Sequence, residues 1–403
     1  MNIFSFLVKN LEGKVSASEL DELFRKLFWD FEKITIVPIA WGFGGAGVVM
    51  VRPEKTIGSS RNEVVVKFGK KEIIEKEKDN FRKYVEGVLG GNRYTLISAF
   101  SKTSNLAGIV YSFVGGTTES LVRFDEYYKT SHIRNIENVV NNLFSSTCEL
   151  CYNNKKMASM ENLELFYRKF LNLKQEELEK SFNKHFKSTR GKNKDKKYVK
   201  FEEEQWLKFK GIEELLINPV YWLKKLNSKQ RIRLFRYDTY FCINHGDMRG
   251  PNIFVDNQQH CWLIDFLLTQ EGHILNDFAK LEVTVKFELL DYVNVETLND
   301  LWIFEKNLLI LDTFHDINKN NLLEIKSCSK EFLKAFHIIK KIREKAFQIT
   351  NITNLNEYYV SLFFHSLKLC RSRVLPTYYK KTYALLSSAL IAERLQAHLD
   401  AVE

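Results

Sequence analysis

Hydrophobic positions change their period several times along the first part of the chain. Leu20, Leu23, Phe24, Leu27, Phe28 and Phe31 recur at steps of three and four, and Ser16 with Glu19 offers a capping box just upstream. This predicts an amphipathic leading helix. Ile34 to Val51 then runs for 18 residues without a charge, near the length of a membrane-crossing helix. It also holds four glycines and a proline, and β-branched residues flank the glycines. That pattern predicts strand, tight loop, strand and no membrane span. Val64-Val65-Val66-Lys67-Phe68 predicts another strand, and Lys70 to Val88 a helix with an apolar stripe of Ile74, Phe81, Val85 and Val88. Thr95 to Phe100 and Ala107 to Phe113 read as two further strands, ending at Val114-Gly115-Gly116.

Beyond that glycine break the chain is charged and helix-periodic to about Arg236, with a basic patch of low hydrophobicity from Lys184 to Lys200. Phe241 to Phe266 predicts a strand, a loop and a hairpin, with NIFVD and CWLIDF on either side of Asn257-Gln258-Gln259-His260. From Asp277 to Glu403 nearly everything is compatible with helix. There is no internal repeat and no Pro-rich or Gly/Ser-rich linker.

At 403 residues the chain suits two lobes rather than one ordinary compact domain. An excess of ten positive charges favours anionic partners without choosing among nucleotide, nucleic acid and membrane surface. Six cysteines are sparse for the length, which argues against a disulfide-stapled secreted scaffold. The start, MNIFSFLVK, has too short an apolar stretch and no preceding basic residues for a signal peptide, so a cytoplasmic location is expected.

Three groups of residues carry candidate chemistry. Gly42, Gly44, Gly45 and Gly47 fit G-x-G-x-x-G-x-V, in which residues lacking Cβ let backbone N–H groups close over phosphate oxygens. Glycine clusters also serve simply as turns. A strand, not a helix, follows here, which favours a strand-loop-strand nucleotide lid over a dinucleotide site. Second, Lys67 sits inside an apolar strand, where an unpaired ammonium is costly to bury. Glu77 lies between Ile74 and Phe81 on the apolar stripe of the following helix, and an acid there needs a partner. A Lys67–Glu77 ion pair would aim the ammonium at phosphates. Glu75 competes for the role but lies off the stripe.

The third and strongest group is His245-Gly246-Asp247-Met248-Arg249-Gly250-Pro251-Asn252, followed by Leu263-Ile264-Asp265-Phe266. Asp247 and Asn252 have the D-x-x-x-x-N spacing of a phosphoryl-transfer loop, and Asp265 ends a strand after a hairpin. Such chemistry needs one group to accept the proton of the attacking hydroxyl, and a carboxylate with an amide carbonyl to hold magnesium. Asp247 takes the first role; Asp265 and Asn252 take the second.

With these residues the chain resembles the aminoglycoside phosphotransferase and choline kinase-like superfamily, relatives of the protein kinases, whose hallmark is HGD, four residues, N, then an I-D-[FW] strand end. The likeness runs from about Ile34 to Glu282, with a gap across the charged helical stretch. The first lobe, with VVVKFGKKEIIEKEKDNFRKYV and IVYSFVGG, also resembles phosphotransferase-like domains associated with bacterial conflict systems. The resemblance implies an α+β, bilobal, protein-kinase-like fold. Residues 1–33 would be a helical lead-in, 34–116 the nucleotide-binding lobe and 117–240 helical with a charged insertion. Residues 241–282 would be the catalytic loop and metal hairpin, and 283–403 the helical remainder. It further implies ATP or GTP with Mg2+, an adenine hinge at Val114-Gly115-Gly116 with Ser112 just ahead, and Asp277, after Gly272, bracing the catalytic loop. Two departures stand out. Arg249-Gly250-Pro251 replaces the usual H-P-G, and Asp265-Phe266 lacks the glycine of the protein-kinase D-F-G, as in the small-molecule branch.

Other signals weigh less. Cys148-Glu149-Leu150-Cys151 has no second close pair to complete a zinc site, so packed thiols are expected. Lys184 to Lys200 reads as a solvated loop first and as a contact for nucleic acid or an acidic protein second. The acid-rich stretch Phe266 to Asp300 would suit a cationic acceptor. The residues thus point to phosphoryl transfer onto a hydroxyl of a small molecule or macromolecule. Nucleotidyl transfer at the same site, and a nucleotide-binding pseudokinase acting by interaction, stay open.

Overall fold

The computed structural model describes residues 3–8, 11, 15–41, 46–55, 59–60, 63–88, 94–114, 121–187, 198–291, 298–311, 313–314, 330–372, 374–375 and 377–401. The chain forms two compact units, Met1–Lys155 with Cys242–Gly272, and Lys156–Phe241 with His273–Glu403. The class is α+β: an antiparallel sheet with one inserted helix in the first unit, and a mainly helical second unit.

In the first unit, β1 (Lys33–Trp41), β2 (Gly47–Lys55), β4 (Val64–Lys70), β5 (Tyr94–Lys102) and β6 (Leu106–Val114) lie in the order β1-β2-β4-β6-β5, and the two-residue β3 (Ser59–Ser60) pairs with β2. Every pairing is antiparallel. The chargeless stretch is therefore two strands, and no described helix is long and apolar enough to cross a membrane. Because side chains alternate along a strand, Val66 and Phe68 point one way and Val65 and Lys67 the other. Val49, Val51, Val66, Phe68 and Val110 pack with Leu20, Leu23, Phe24 and Leu27 of α2 (Ala17–Leu27) and Leu7 of α1 (Ile3–Val8). Each such side chain contributes about 2 kcal/mol by leaving water. The helix lies so close that a Cβ on Gly108 would meet Leu27 Cδ1 at 2.8 Å. The expected capping box is half made. Ser16 Oγ accepts from the Glu19 N–H at 3.1 Å. The Glu19 carboxylate instead accepts from Thr103 Oγ1 at 2.7 Å and the Asn105 N–H at 2.8 Å, tying α2 to the β5–β6 turn.

The inserted helix, α3 (Lys71–Tyr84), ends one turn before Val88 and buries Ile74, Glu77 and Phe81. The stretch after the glycine break also belongs to this unit, so the compact units part at Lys155 and not at Gly116. The reason is strand pairing. Val122–Arg123 joins the edge of the hairpin formed by Ile253–Val255 and Cys261–Leu263. Asn142 Nδ2 and Thr147 Oγ1 donate to the carbonyls of Gln259 and Cys261, at 2.9 and 3.0 Å.

The second unit holds the helices Asn276–Thr284, Leu298–Leu309, Lys330–Thr350, Leu355–Cys370 and Tyr378–Asp400. The expectation of a helix-periodic stretch to about Arg236 needs correction. Lys156–Met160 pairs with Tyr237–Phe241, and Val199–Glu202, Trp206–Phe209 and Leu215–Ile217 make a small antiparallel sheet. Strands of three to five residues are too short to show a period of two against a charged background, and their pairing partners are set by tertiary contacts.

Candidate functional site

Lys67 projects from the face of β4 opposite α2, opposite Val48 of β2 and Ile109 of β6 in register. It is 2% exposed. Its Nζ lies 2.6 Å from Glu77 Oε2 and 2.5 Å from Asp265 Oδ1. Glu77 is reached because it shares the buried stripe of α3 with Ile74 and Phe81; Glu75, off that stripe, pairs instead with Lys102 at 2.9 Å near the surface. Burial alone would push the Lys67 ammonium down, but the carboxylates of Asp265 and Glu77 outweigh it and hold the group above its ordinary value. Burial pushes the Glu77 carboxyl up, against the pull of Lys67 and with the push of Asp265. Tyr111, opposite Val65 and so on the same face, donates its hydroxyl to Glu77 Oε1, and burial beside that carboxylate raises the phenol well above its usual range.

One cation thus faces two carboxylates, and of the two Asp265 is the one with access to water: its side chain is 23% exposed. Asp265 also has left-handed backbone, φ 71° and ψ 64°, a strained conformation for a residue with a Cβ. It is followed by the 3-10 turn Phe266–Leu268, where the Phe266 ring packs against Phe81, Tyr111 and His245 at centroid distances of 5.2, 6.1 and 5.3 Å. Two side chains from the N-terminal part hold this turn and the strand before it through three hydrogen bonds. Thr95 Oγ1 donates to the Leu263 carbonyl at 2.7 Å, and Asn80 Nδ2 to the carbonyls of Leu267 and Phe266 at 2.7 and 3.3 Å.

The 245–252 loop is set by its own backbone. Gly246 has φ 86°, and a Cβ there would stand 2.4 Å from the Leu268 carbonyl oxygen, so only glycine fits. His245 is buried; its Nε2 lies 2.9 Å from the Ile264 carbonyl and its Nδ1 accepts from the Asp247 N–H at 3.3 Å, which is the pattern of the Nε2–H tautomer. Asn252 Nδ2 donates to the Asp247 carbonyl at 2.9 Å and to its Oδ2 at 3.1 Å. The amide hydrogens are thus spent on Asp247, and Oδ1 is the atom of Asn252 suited to a cation. Asp265 and Asn252 together offer hard oxygen donors, fitting Mg2+, which takes one or two protein ligands and fills the rest of its shell with water and phosphate. Among the described residues no three His, Cys, Asp or Glu side chains gather as a protein-only metal cage would require.

Lys67, Glu77, Asp247, Asn252 and Asp265 all lie in the first unit. Gly42, Gly44 and Gly45 lie outside the described residues. Gly47 opens β2 with the Phe68 ring against it, where a Cβ would stand 2.4 Å away. Ser112 donates its hydroxyl to Ser98 Oγ at 2.8 Å, and Val114 closes β6 opposite Tyr94. Asp277 is buried in the second unit, where Asn276 Nδ2 donates to it at 3.3 Å. Of the acids expected to attract a cationic acceptor, Glu282 is spent on Arg343 in a bidentate pair at 2.8 and 2.7 Å. Cys148 and Cys151 are buried free thiols. Much of the basic patch, 188–197, lies outside the described residues. Tyr111, Asn80 and Thr95 escaped the sequence reading. Tyr111 was open to discovery once β6 is paired with β4, since Val65 and Tyr111 face each other; Asn80 and Thr95 carry no such local signal.

The family model of the ternary complex associated domain 9 matches residues 35–176 and 171–366. No curated protein matches the chain. Among solved structures, a choline kinase from Streptococcus pneumoniae is 11% identical with a TM-score of 0.43, covering 94% of this chain and 99% of its own. An aminoglycoside phosphotransferase from Streptomyces rimosus is 12% identical with a TM-score of 0.39, covering 81% and 99%. An ethanolamine kinase from Plasmodium vivax is 11% identical with a TM-score of 0.37, covering 94% and 84%. At these scores the likenesses decide nothing about chemistry, which rests on the side chains themselves.

Proposed function

The chain belongs to the ternary complex associated domain 9 family, and we propose that this member is an ATP- or GTP-dependent phosphotransferase that moves the γ-phosphoryl group to a hydroxyl with Mg2+. The observation that carries the reading is the buried Lys67 ammonium held between Glu77 and Asp265, in the same compact unit as the hydrogen-bonded Asp247–Asn252 pair. Lys67 would meet the nucleotide phosphates, with Glu77 and Tyr111 fixing its direction. Gly42, Gly44, Gly45 and Gly47 would close over those phosphates, and Ser112 and Val114 would border the base. Asp247, oriented by Asn252, accepts the proton of the acceptor hydroxyl as its oxygen bonds to the γ-phosphorus. The bond from that phosphorus to the bridging oxygen breaks, and the nucleoside diphosphate leaves. A Mg2+ held by Asp265 and Asn252 supplies charge neutralisation at the phosphates. Catalysis of this kind is positioning and electrostatics, which is what a rigid set of paired charges provides.

The acceptor is hydroxyl-bearing. The family's name associates it with ternary complexes, which keeps a macromolecular acceptor beside a small one. The test is nucleotide consumption with Mg2+ against acceptor pools and cell lysate, with Asp247→Asn as control and mass analysis of the product. A gain of one phosphate supports the reading. A gain of a nucleoside monophosphate replaces it with nucleotidyl transfer, and nucleotide binding without any turnover replaces it with an interaction module.

A further inference from the structure

Asp265 presents its carboxylate from a left-handed backbone position that no glycine follows, so something outside the turn must hold the direction of that side chain. On one flank the catalytic loop does so. Thr269 Oγ1 donates to the His245 carbonyl at 3.0 Å, His245 Nε2 meets the Ile264 carbonyl, and Gly246 lets the Leu268 carbonyl approach. On the other flank the polar hold on Phe266 and Leu267 is Asn80. Its Nδ2 reaches both carbonyls, at 3.3 and 2.7 Å, from the helix turn that follows Glu77. Residues three apart on a helix share a face, so Glu77 and Asn80 grip the two sides of the same ion cluster: one holds Lys67, the other the turn that carries Asp265.

We propose that Asn80 is a positioning residue that couples α3 to the metal-holding turn, so that Lys67 and Asp265 are aimed together. The proposal rests on the phosphotransferase reading, since it assigns Asp265 to a divalent cation. Its chemistry is specific. A primary amide has two N–H groups and can donate to two neighbouring carbonyls at once, whereas an acid at the same place would repel them. Asn80 is only half-buried and Leu267 likewise, so water can replace the lost donor and the fold should tolerate its removal. What would be lost is the fixed direction of the Asp265 carboxylate.

The experiment is a titration of the full chain with Mn2+ in the presence of a non-hydrolysable ATP analogue, read by the paramagnetic resonance signal of free Mn2+, alongside thermal melting. Asn80→Ala should weaken Mn2+ binding about tenfold, the usual cost of losing a partner that orients a metal ligand. It should leave metal-free binding of the analogue and the melting temperature close to the parent. Asn80→Asp should weaken Mn2+ further, and Asn80→Gln, which keeps the two donors, should recover part of the loss. If the parent binds Mn2+ with the analogue and Asn80→Ala binds it equally well, the coupling is wrong while the phosphotransferase reading stands. A weakened Asn80→Ala that also melts far below the parent, with no recovery in Asn80→Gln, assigns Asn80 to stability alone and overturns the proposal. A parent that binds no Mn2+ with the analogue brings down both.

Discussion

The two compact units each bury cation–carboxylate clusters made of similar parts, and the clusters differ in balance and access. In the second unit Arg343 meets Glu282 in a bidentate pair, with the Tyr358 hydroxyl donating to the same carboxylate at 2.9 Å and the Leu308 carbonyl taking a further N–H at 2.5 Å. Lys286 meets Glu305 at 2.7 Å, with Tyr383 and Ser387 completing the shell. One cation answers one carboxylate, and all four side chains are sealed. In the first unit one cation answers two carboxylates, one of them reaches solvent, and that one stands on strained backbone. A neutral sealed pair has nothing left to bind. A cluster with surplus negative charge at an open edge is prepared for another cation, and so burial of charge alone does not mark a site; imbalance with access does.

The largest effect that would test this contrast is on Asp247, in the same compact unit as the open cluster. Asp247→Asn should lower kcat by up to about 10⁴-fold, the upper range for removing a general base, with melting unchanged. Full activity in that variant would remove the base from the site. Next comes the sealed cluster. Glu282→Gln leaves the Arg343 guanidinium buried without its counter-charge, which should cost about 3 kcal/mol of stability. It should be seen as faster hydrogen exchange in Asn276–Thr284 and Lys330–Thr350, while nucleotide affinity at low temperature stays at the parent value. Lost nucleotide binding with unchanged exchange would make Glu282 part of the site and break the contrast.

The open cluster was largely legible in the sequence because its members announce themselves locally. A lysine interrupts an apolar strand, an acid interrupts an apolar helical stripe, and Asp247, Asn252 and Asp265 stand at fixed spacing around a hairpin. The sealed clusters were not. Glu282 read as one acid in an acidic stretch, since its partner Arg343 lies far along the chain on another helix and nothing in either segment marks the other. The small sheet of Val199–Ile217 was missed for another reason: its strands, of three and four residues, are too short to show a period of two. Tyr111 shows where legibility ends inside the site itself: its strand was expected, but its hydroxyl bond to Glu77 depends on the β4–β6 register. Tyr111→Phe should therefore weaken the hold on Glu77 by about 1.5 kcal/mol, roughly tenfold in kcat/KM and expressed in KM for the nucleotide. An unchanged KM would show that Lys67 alone suffices to hold Glu77.

The smallest effect concerns a carboxyl that is displaced in pKa yet belongs to no such cluster. Glu393 in the helix Tyr378–Asp400 is partly buried, and burial pushes it up to about 7; the Ile217 N–H donating at 3.0 Å pulls the other way, and nearby Glu214 adds to the rise. Lys306 opposes that rise only from a distance, because it is held by Glu214 at 3.0 Å. A carboxyl raised above its ordinary value of 4.5 binds its proton more tightly folded than unfolded, so its contribution to stability is complete below about pH 4.5 and is lost as the pH climbs through about 7. Allowing for partial exposure, the loss should be about 1 kcal/mol. Melting of the second unit should thus fall between pH 5 and pH 8 in the parent and stay flatter in Glu393→Gln; equal slopes would refute it. Nucleotide with Mg2+ should not alter that slope, because Glu393 has a shifted pKa without surplus charge at an open edge beside a second acid and a buried cation, and it is those together that distinguish the cluster around Lys67.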